Sequence, residues 1–319
     1  MSDKEAIERL VVHYQELKNE IHKVIIGQDE VVDQVLISIF SRAHCLLVGV
    51  PGLAKTLLVN TIAQTLGLTF NRVQFTPDLM PSDIVGSEIL DETKNFKFIK
   101  GPLFSNVILA DEINRTPPKT QSALLEAMQE RRVTAAGTTY ELPAPFFVLA
   151  TQNPIEQEGT YRLPEAQLDR FLFKIQLEYP TAAQEVELLQ REHNLQNKDK
   201  IAHISASISK QQIIDFQQLT KLIVVESKLI EYIAKIIIQT RENSFLYMGA
   251  SPRASIAILN ASKGLAILRG RDFVTPEDIK EVAIPVLNHR VVVAPEREME
   301  GMTSNDIIQQ ILDTIEIPR

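Results

Sequence analysis

The chain has 319 residues, 45% of them hydrophobic and 23% charged, with a formal net charge of −8 and a sequence pI near 5.4. This is the profile of a soluble globular protein long enough for two domains. Its acidity argues against a protein that coats nucleic acid or an anionic membrane, although a local basic lining in an oligomer stays compatible with it. A lone cysteine, Cys45, excludes a disulfide framework and a cysteine zinc cluster. The charged start of the chain lacks the apolar core of a signal peptide, and the longest uncharged stretch, Thr56 to Asn71, is too short and polar to span a bilayer, so a cytoplasmic protein is expected.

Ile7, Leu10, Val11, Tyr14, Leu17 and Ile21 recur at spacings of three and four, which predicts an amphipathic helix over residues 3 to about 22, packed on the flank of the core. Val24, Ile25 and Ile26 then form an extended apolar piece that turns into a helix running to about Phe40. Such a piece is either a linker packed on the core or an adenine site, where Ile25 and Ile26 would offer a flat base aliphatic contact and backbone hydrogen bonds.

The apolar run Leu46 to Val48 suits a central parallel strand that breaks at Gly49, loops, and restarts as a helix at Lys55. Gly49, Pro51 and Gly52 allow a tight turn whose backbone N–H groups converge on an anion, and the free N–H groups of the following helix favour phosphate. The candidate nucleotide cradle is Gly49, Pro51, Gly52, Leu53, Ala54, Lys55, Thr56 and Leu57, with Lys55 reaching the β and γ phosphates and the Thr56 hydroxyl reaching Mg²⁺. The phosphate-loop pattern has glycine where this chain has Ala54, and an ordinary glycine-containing turn is the plain alternative. An alanine there implies a backbone conformation that a Cβ tolerates, with helix geometry beginning before Lys55.

A second strand is expected from Leu68 to Gln74, followed by an inserted element over residues 76 to 100 that carries a hairpin around a polar turn at 91–95. Next comes Val107-Ile-Leu-Ala110 with Asp111 and Glu112 behind it. Ligands bind beyond the strand C-termini of an open parallel sheet, which would set both acids near the phosphate loop. Asp111 suits a Mg²⁺ shell beside Thr56 and Glu112 suits activation of an attacking water, against the alternative of a strand ending in solvated acids. A helix follows over residues 119 to 129, with Ala123, Leu124 and Met128 inward, and then a second hairpin around Gly137. The strand Phe146 to Ala150 ends at Asn153, an amide able to orient water or simply a turn residue. Pro164 opens a short helix that leads into a strand from Phe171 to Leu177. Arg170, at the end of that helix, either pairs with a neighbouring acid or faces the next subunit's γ-phosphate as an arginine finger.

Beyond Pro180 the sequence is helical with little β character, with a polar connection at Asn197 to Lys200. Amphipathic segments are expected near Leu219 to Arg241, Ser251 to Leu268, Pro276 to Asn288 and Asp306 to Ile315, with Pro252 in a first helical turn. Arg253 either points back at the nucleotide or is a solvated helix arginine. The scattered histidines show no metal-ligand pattern.

With the loop, the acid pair, Asn153, Arg170 and Arg253 in this order, the chain resembles an AAA+ ATPase, and the likeness narrows to the MoxR family. It is carried by Gly49-Val-Pro-Gly-Leu-Ala-Lys-Thr56, Phe75-Thr-Pro-Asp-Leu-Met-Pro-Ser-Asp83, Gln152-Asn-Pro-Ile-Glu-Gln-Glu-Gly-Thr-Tyr161 and the run Leu163 to Phe171, and it covers nearly the full chain. Ala54 then becomes a family mark. The resemblance implies a P-loop AAA+ α/β core with a five-stranded parallel sheet over residues 1–180 and an all-α lid over 181–319. It makes Lys55 and Thr56 Walker A, Asp111 and Glu112 Walker B, Asn153 sensor 1, Arg170 the arginine finger and Arg253 sensor 2, acting on its own or a neighbour's nucleotide. It also implies ATP and Mg²⁺ as cofactors, a homo-oligomeric ring, commonly hexameric, and a partner with a von Willebrand factor A domain. The expected activity is ATP hydrolysis coupled to chaperone-like remodelling of partner proteins. The alternatives are a nucleic-acid motor, which the acidic charge disfavours, a small-molecule kinase or GTPase, and a nucleotide-gated scaffold, which Glu112 disfavours. A guanine motif N-K-x-D is absent from the sequence.

Overall fold

The computed structural model describes residues 3–317 apart from 91, 93, 136, 156–158, 196–200 and 202. Helices α1 (Asp3–His22) and α2 (Asp29–Phe40) precede β1 (Cys45–Val48), α3 (Lys55–Thr65) and β2 (Phe70–Gln74). The expected insertion is α4 (Pro81–Val85) with the hairpin β3 (Gly86–Leu90) and β4 (Phe96–Lys100), part of whose turn lies outside the described residues. Then come β5 (Val107–Asp111), α5 (Pro118–Glu130), the second hairpin β6 (Arg132–Ala135) and β7 (Thr138–Glu141), β8 (Phe147–Gln152), α6 (Glu165–Leu168) and β9 (Phe173–Gln176).

The main sheet has five strands in the order β2-β5-β8-β1-β9, every neighbouring pair parallel. Its central strands are apolar throughout because both faces are covered, and successive side chains divide between two cores. Cys45, Leu47, Leu109 and Leu149 face one cluster with α1, α2 and α3, while Leu46, Val48, Ile108, Ala110 and Val148 face another with α5. In α1, Leu10, Leu17 and Ile21 are completely buried. At about 1.5–3 kcal/mol for each such side chain, these three alone match the net stability of a typical domain, so α1 is part of the fold and not an appendage.

The first core does not stop at the sheet. It continues into the helical half, where Ile233, Ile258, Ile279 and Ile308 belong to the same cluster. That half comprises α7 (Ala182–Leu195), α8 (Lys210–Leu222), α9 (Ser227–Glu242), β10 (Leu246–Met248), α10 (Pro252–Leu268), α11 (Pro276–Leu287), β11 (Val292–Val293), α12 (Pro295–Met299) and α13 (Ser304–Thr314). Its helix starts obey capping chemistry: the hydroxyls of Ser209, Ser251 and Thr303 accept backbone N–H groups of α8, α10 and α13.

Two expectations about this half need correction. The segment Leu219 to Arg241 is not one helix, because the chain breaks between α8 and α9 where Val224 forms an isolated bridge with Phe273. The half also contains β structure, an antiparallel pair of β10 and β11 too short to leave a period-two pattern. Helix α7 lies on the surface: Val186 and Leu189 are 54% and 60% exposed, and the Arg191 guanidinium ties the helix to the carbonyls of His22 and Lys23. The polar connection at 197–200 lies outside the described residues.

Candidate nucleotide site

β1, β5 and β8 end on one edge of the sheet, which brings together the loop after β1, the acids after β5 and the amide after β8. Gly49 leaves the strand with its N–H still bonded to the Gln152 carbonyl, at 3.3 Å. A Cβ on Gly49 would stand 2.8 Å from the Leu177 side chain, so glycine is required by packing. Gly52 has φ +91° and Ala54 has φ +55° and ψ +27°. The expectation that helix geometry begins before Lys55 is therefore wrong: Ala54 is left-handed and α3 begins at Lys55. A left-handed residue ahead of a right-handed turn aims successive N–H groups into one concavity, the geometry that receives an anion. The alanine holds that shape against a strain of about 1–2 kcal/mol.

Lys55 Nζ donates to the carbonyl oxygens of Gly49, at 2.5 Å, and of Gln152, at 3.5 Å. Burial lowers its pKa, and Asp111 and Glu112 oppose that shift. Asp111 Oδ1 accepts from the Thr151 hydroxyl at 2.6 Å, and its Oδ2 accepts from Arg72 at 2.7 and 3.1 Å. Glu112 has φ +57°. Its N–H donates to Thr151 Oγ1, and its carboxylate accepts from Gln74 at 2.8 Å and Arg115 at 3.0 Å. Asn153 is buried, and its Oδ1 accepts the Ile155 N–H. Its Nδ2 donor is the remaining group suited to a phosphate or water. Thr151, Arg72, Gln74 and Arg115 were not anticipated. Arg72 and Gln74 lie two apart on β2, with Gln74 in register with Asp111, but only the strand order reveals that β2 borders β5.

The residues suit a magnesium nucleotide. A threonine hydroxyl and a carboxylate are hard oxygen donors, and the described residues contain no group of three or more His, Cys, Asp or Glu able to hold a metal by themselves. That is the donor set for an ion held through few protein oxygens together with phosphates and water. Ile25 is buried and Ile26 partly exposed beside Gly27, where the Gln184 side chain of α7 lies directly against the glycine.

Arg170 stands elsewhere. It precedes β9, whose first residue Phe173 pairs with Cys45 at the start of β1, and Leu172 N–H binds the His44 carbonyl. Arg170 is thus at the N-terminal edge of the sheet, a strand length of about 13 Å or more from the edge that bears Lys55. There it lines a polar groove of about 680 Å³ with Ser122, Gln129, Glu130 and Arg132. Its Nε is buried without a hydrogen-bond partner among the described residues. Arg253 lies on the same side, because Ser251, two residues before it, donates to Asp169 Oδ2 at 2.9 Å. The structure therefore gathers Lys55, Thr56, Asp111, Glu112 and Asn153 on one edge and sets Arg170, together with the start of the helix that carries Arg253, at the other.

Sheet order, phosphate loop and acid pair define a nucleotide hydrolase of the AAA class. Residues 44–173 match the ATPase family associated with various cellular activities, and residues 238–311 match the AAA lid domain. The chain is 43% identical to the uncharacterized protein YeaC of Bacillus subtilis, over 93% of this chain and 92% of that one. It is also 43% identical to the chaperone MoxR1 of Mycobacterium tuberculosis, over 94% and 81% of the two chains. A crystal structure from Cytophaga hutchinsonii, described as a candidate ATPase, superposes with a TM-score of 0.92 at 45% identity, covering 99% of this chain and 98% of that one. The chain belongs to the MoxR family of AAA+ ATPases. Among the described residues no helix is long and apolar enough to cross a membrane.

Proposed function

We propose that the chain hydrolyses ATP in a homo-oligomeric ring, commonly hexameric in this family, and uses the cycle for chaperone-like remodelling of partner proteins, including one with a von Willebrand factor A domain. The domains meet near residue 180. The carrying observation is the separation of Arg170 from Lys55 across the sheet: an arginine on that edge serves a nucleotide only in another copy.

Within a site, the left-handed turn at Ala54 and the start of α3 bind the phosphates, and Lys55 exchanges its carbonyl partners for phosphate oxygens. Mg²⁺ bound at Thr56 and Asp111 would neutralise phosphate charge. Thr151 and Arg72 orient Asp111, while Gln74 and Arg115 hold Glu112. The Glu112 carboxylate takes a proton from the attacking water, and Asn153 Nδ2 aligns that water or the γ-phosphate. Arg170 and Arg253 of a neighbour supply positive charge where it develops, an arginine contribution worth roughly 10³–10⁵ in rate. The hairpin of β3 and β4 exposes Leu90 and Phe96 at its tip, which suits contact with a protein client.

Steady-state turnover of Lys55→Ala, Glu112→Gln and Arg170→Ala tests this reading. All three are expected to lose at least a hundredfold, and a Glu112→Gln variant with undiminished turnover would remove the water-activation role. Mixing the inactive Lys55→Ala and Arg170→Ala chains should restore partial activity, since one copy supplies the intact loop and the other the intact arginine.

A further inference from the structure

The turn that carries Arg170 is held by the helical half and not by the sheet alone. Arg290, just beyond α11, is 3% exposed in its side chain. Its Nε donates to Asp169 Oδ1 at 2.7 Å, and its Nη groups donate to the carbonyls of Asp169, at 3.1 Å, of Phe171, and of Leu172, at 3.0 Å. The neighbouring His289 Nε2 also meets the Phe171 carbonyl, at 3.1 Å. One planar guanidinium therefore fixes the backbone on both sides of Arg170, a task suited to its rigid fork of donors. The other oxygen of the same carboxylate, Asp169 Oδ2, accepts from Ser251, whose hydroxyl in turn accepts the Arg253 N–H. Asp169 thus touches both segments that carry an arginine on this edge.

We propose that Asp169, clamped by Arg290 and tied to Ser251, is a positioning residue that presents Arg170 and Arg253 as one rigid pair to the nucleotide of the adjacent copy. The inference rests on the trans-acting reading above. Neither Asp169 nor Arg290 touches the nucleotide; they set the spacing and direction of two groups that do. Because the clamp comes from the helical half, an altered tilt of that half is transmitted to Arg170 in the same chain.

The test makes the carrier's own site silent and reads only its neighbours. Chains with Glu112→Gln, with Glu112→Gln and Asp169→Asn, or with Glu112→Gln and Arg170→Ala are mixed in excess with wild-type chain, and ATP turnover per wild-type chain is measured. Co-assembly is verified by pull-down of a tag on the variant. The Asp169→Asn carrier is expected to lower neighbour turnover at least tenfold below the Glu112→Gln carrier, in kcat and not in KM, and so to resemble the Arg170→Ala carrier. Equal support from the Asp169→Asn and Glu112→Gln carriers would reduce Asp169 to a structural residue and overturn the proposal. Equal support from the Arg170→Ala and Glu112→Gln carriers would instead overturn the trans-acting reading beneath it. Should Asp169→Asn fail to co-assemble, Ser251→Ala in the Glu112→Gln background decides: it cuts the link to α10 while leaving the ion pair, and a fall in neighbour kcat of threefold or more supports the clamp, whereas no fall overturns it.

Discussion

Ala54 is the residue that most separates this loop from the glycine pattern, and its effect is on stability before chemistry. At φ +55° an alanine is strained but possible, while a β-branched side chain has no low-energy place there. Ala54→Val is expected to cost about 2 kcal/mol, read from chemical denaturation midpoints. Ala54→Gly should fall within about 1 kcal/mol of the wild type, because relief of strain is offset by the larger entropy of glycine in the unfolded chain. A destabilisation by glycine as large as that by valine would show that the left-handed turn is not what the position demands. The gathering of Lys55, Thr56, Asp111, Glu112 and Asn153 on one edge of the sheet was legible in the sequence because each closes or follows an apolar strand. The conformation of Ala54 was not, since residue type there is compatible with either hand and only the turn into α3 selects one.

Among elements, the connector of residues 23–28 and helix α7 form an unusual pair. Gly27 has φ +68°, and a Cβ there would meet the Gln184 side chain at 2.1–2.8 Å. Gly27→Ala should therefore cost about 2 kcal/mol, read from chemical denaturation midpoints. The double variant Gly27→Ala with Gln184→Ala should relieve the clash but not the backbone strain, so a double-mutant cycle yields a favourable coupling. Coupling near zero would mean that the two segments do not bear on each other. The helical half was read less completely than the sheet: the break between α8 and α9 is set by the bridge of Val224 with Phe273, residues distant in sequence. The inserted hairpins were found from β-prone runs flanking a turn, yet the stack that joins them, Phe98 on Tyr140 with centroids 4.3 Å apart, links residues distant in sequence and left no local trace.

For the whole molecule, pH reports on the join between elements. His44, ahead of β1, is fully enclosed: its Nδ1 accepts the Val148 N–H at 2.9 Å, so its Nε2 carries the proton that reaches the Met128 carbonyl at 3.0 Å. Burial pushes its pKa down from 6.5 to about 4, only partly opposed by the bond to Met128. His289 is likewise lowered by burial and by Arg290. The unfolded chain takes up these protons first, so the stabilisation is complete above pH 6.5 and is lost as pH falls toward 4. Thermal midpoints should drop across that window, with His44 alone accounting for roughly 3 kcal/mol. His44→Gln, which offers an acceptor and a donor without titrating, should flatten the profile; an unchanged slope would reassign it. Turnover per chain should also rise with protein concentration if Arg170 acts between copies, and a rate independent of dilution over three decades would contradict such assembly.

The core that runs unbroken from one face of the sheet into the helical half carries a mechanical consequence. Ile233, Ile258 and Ile308 share a cluster with Leu47 and Leu149, so prying the two halves apart would expose a continuous apolar seam to water. Full separation of the halves is therefore costly, and the motions the fold favours are small changes of tilt that keep this seam closed.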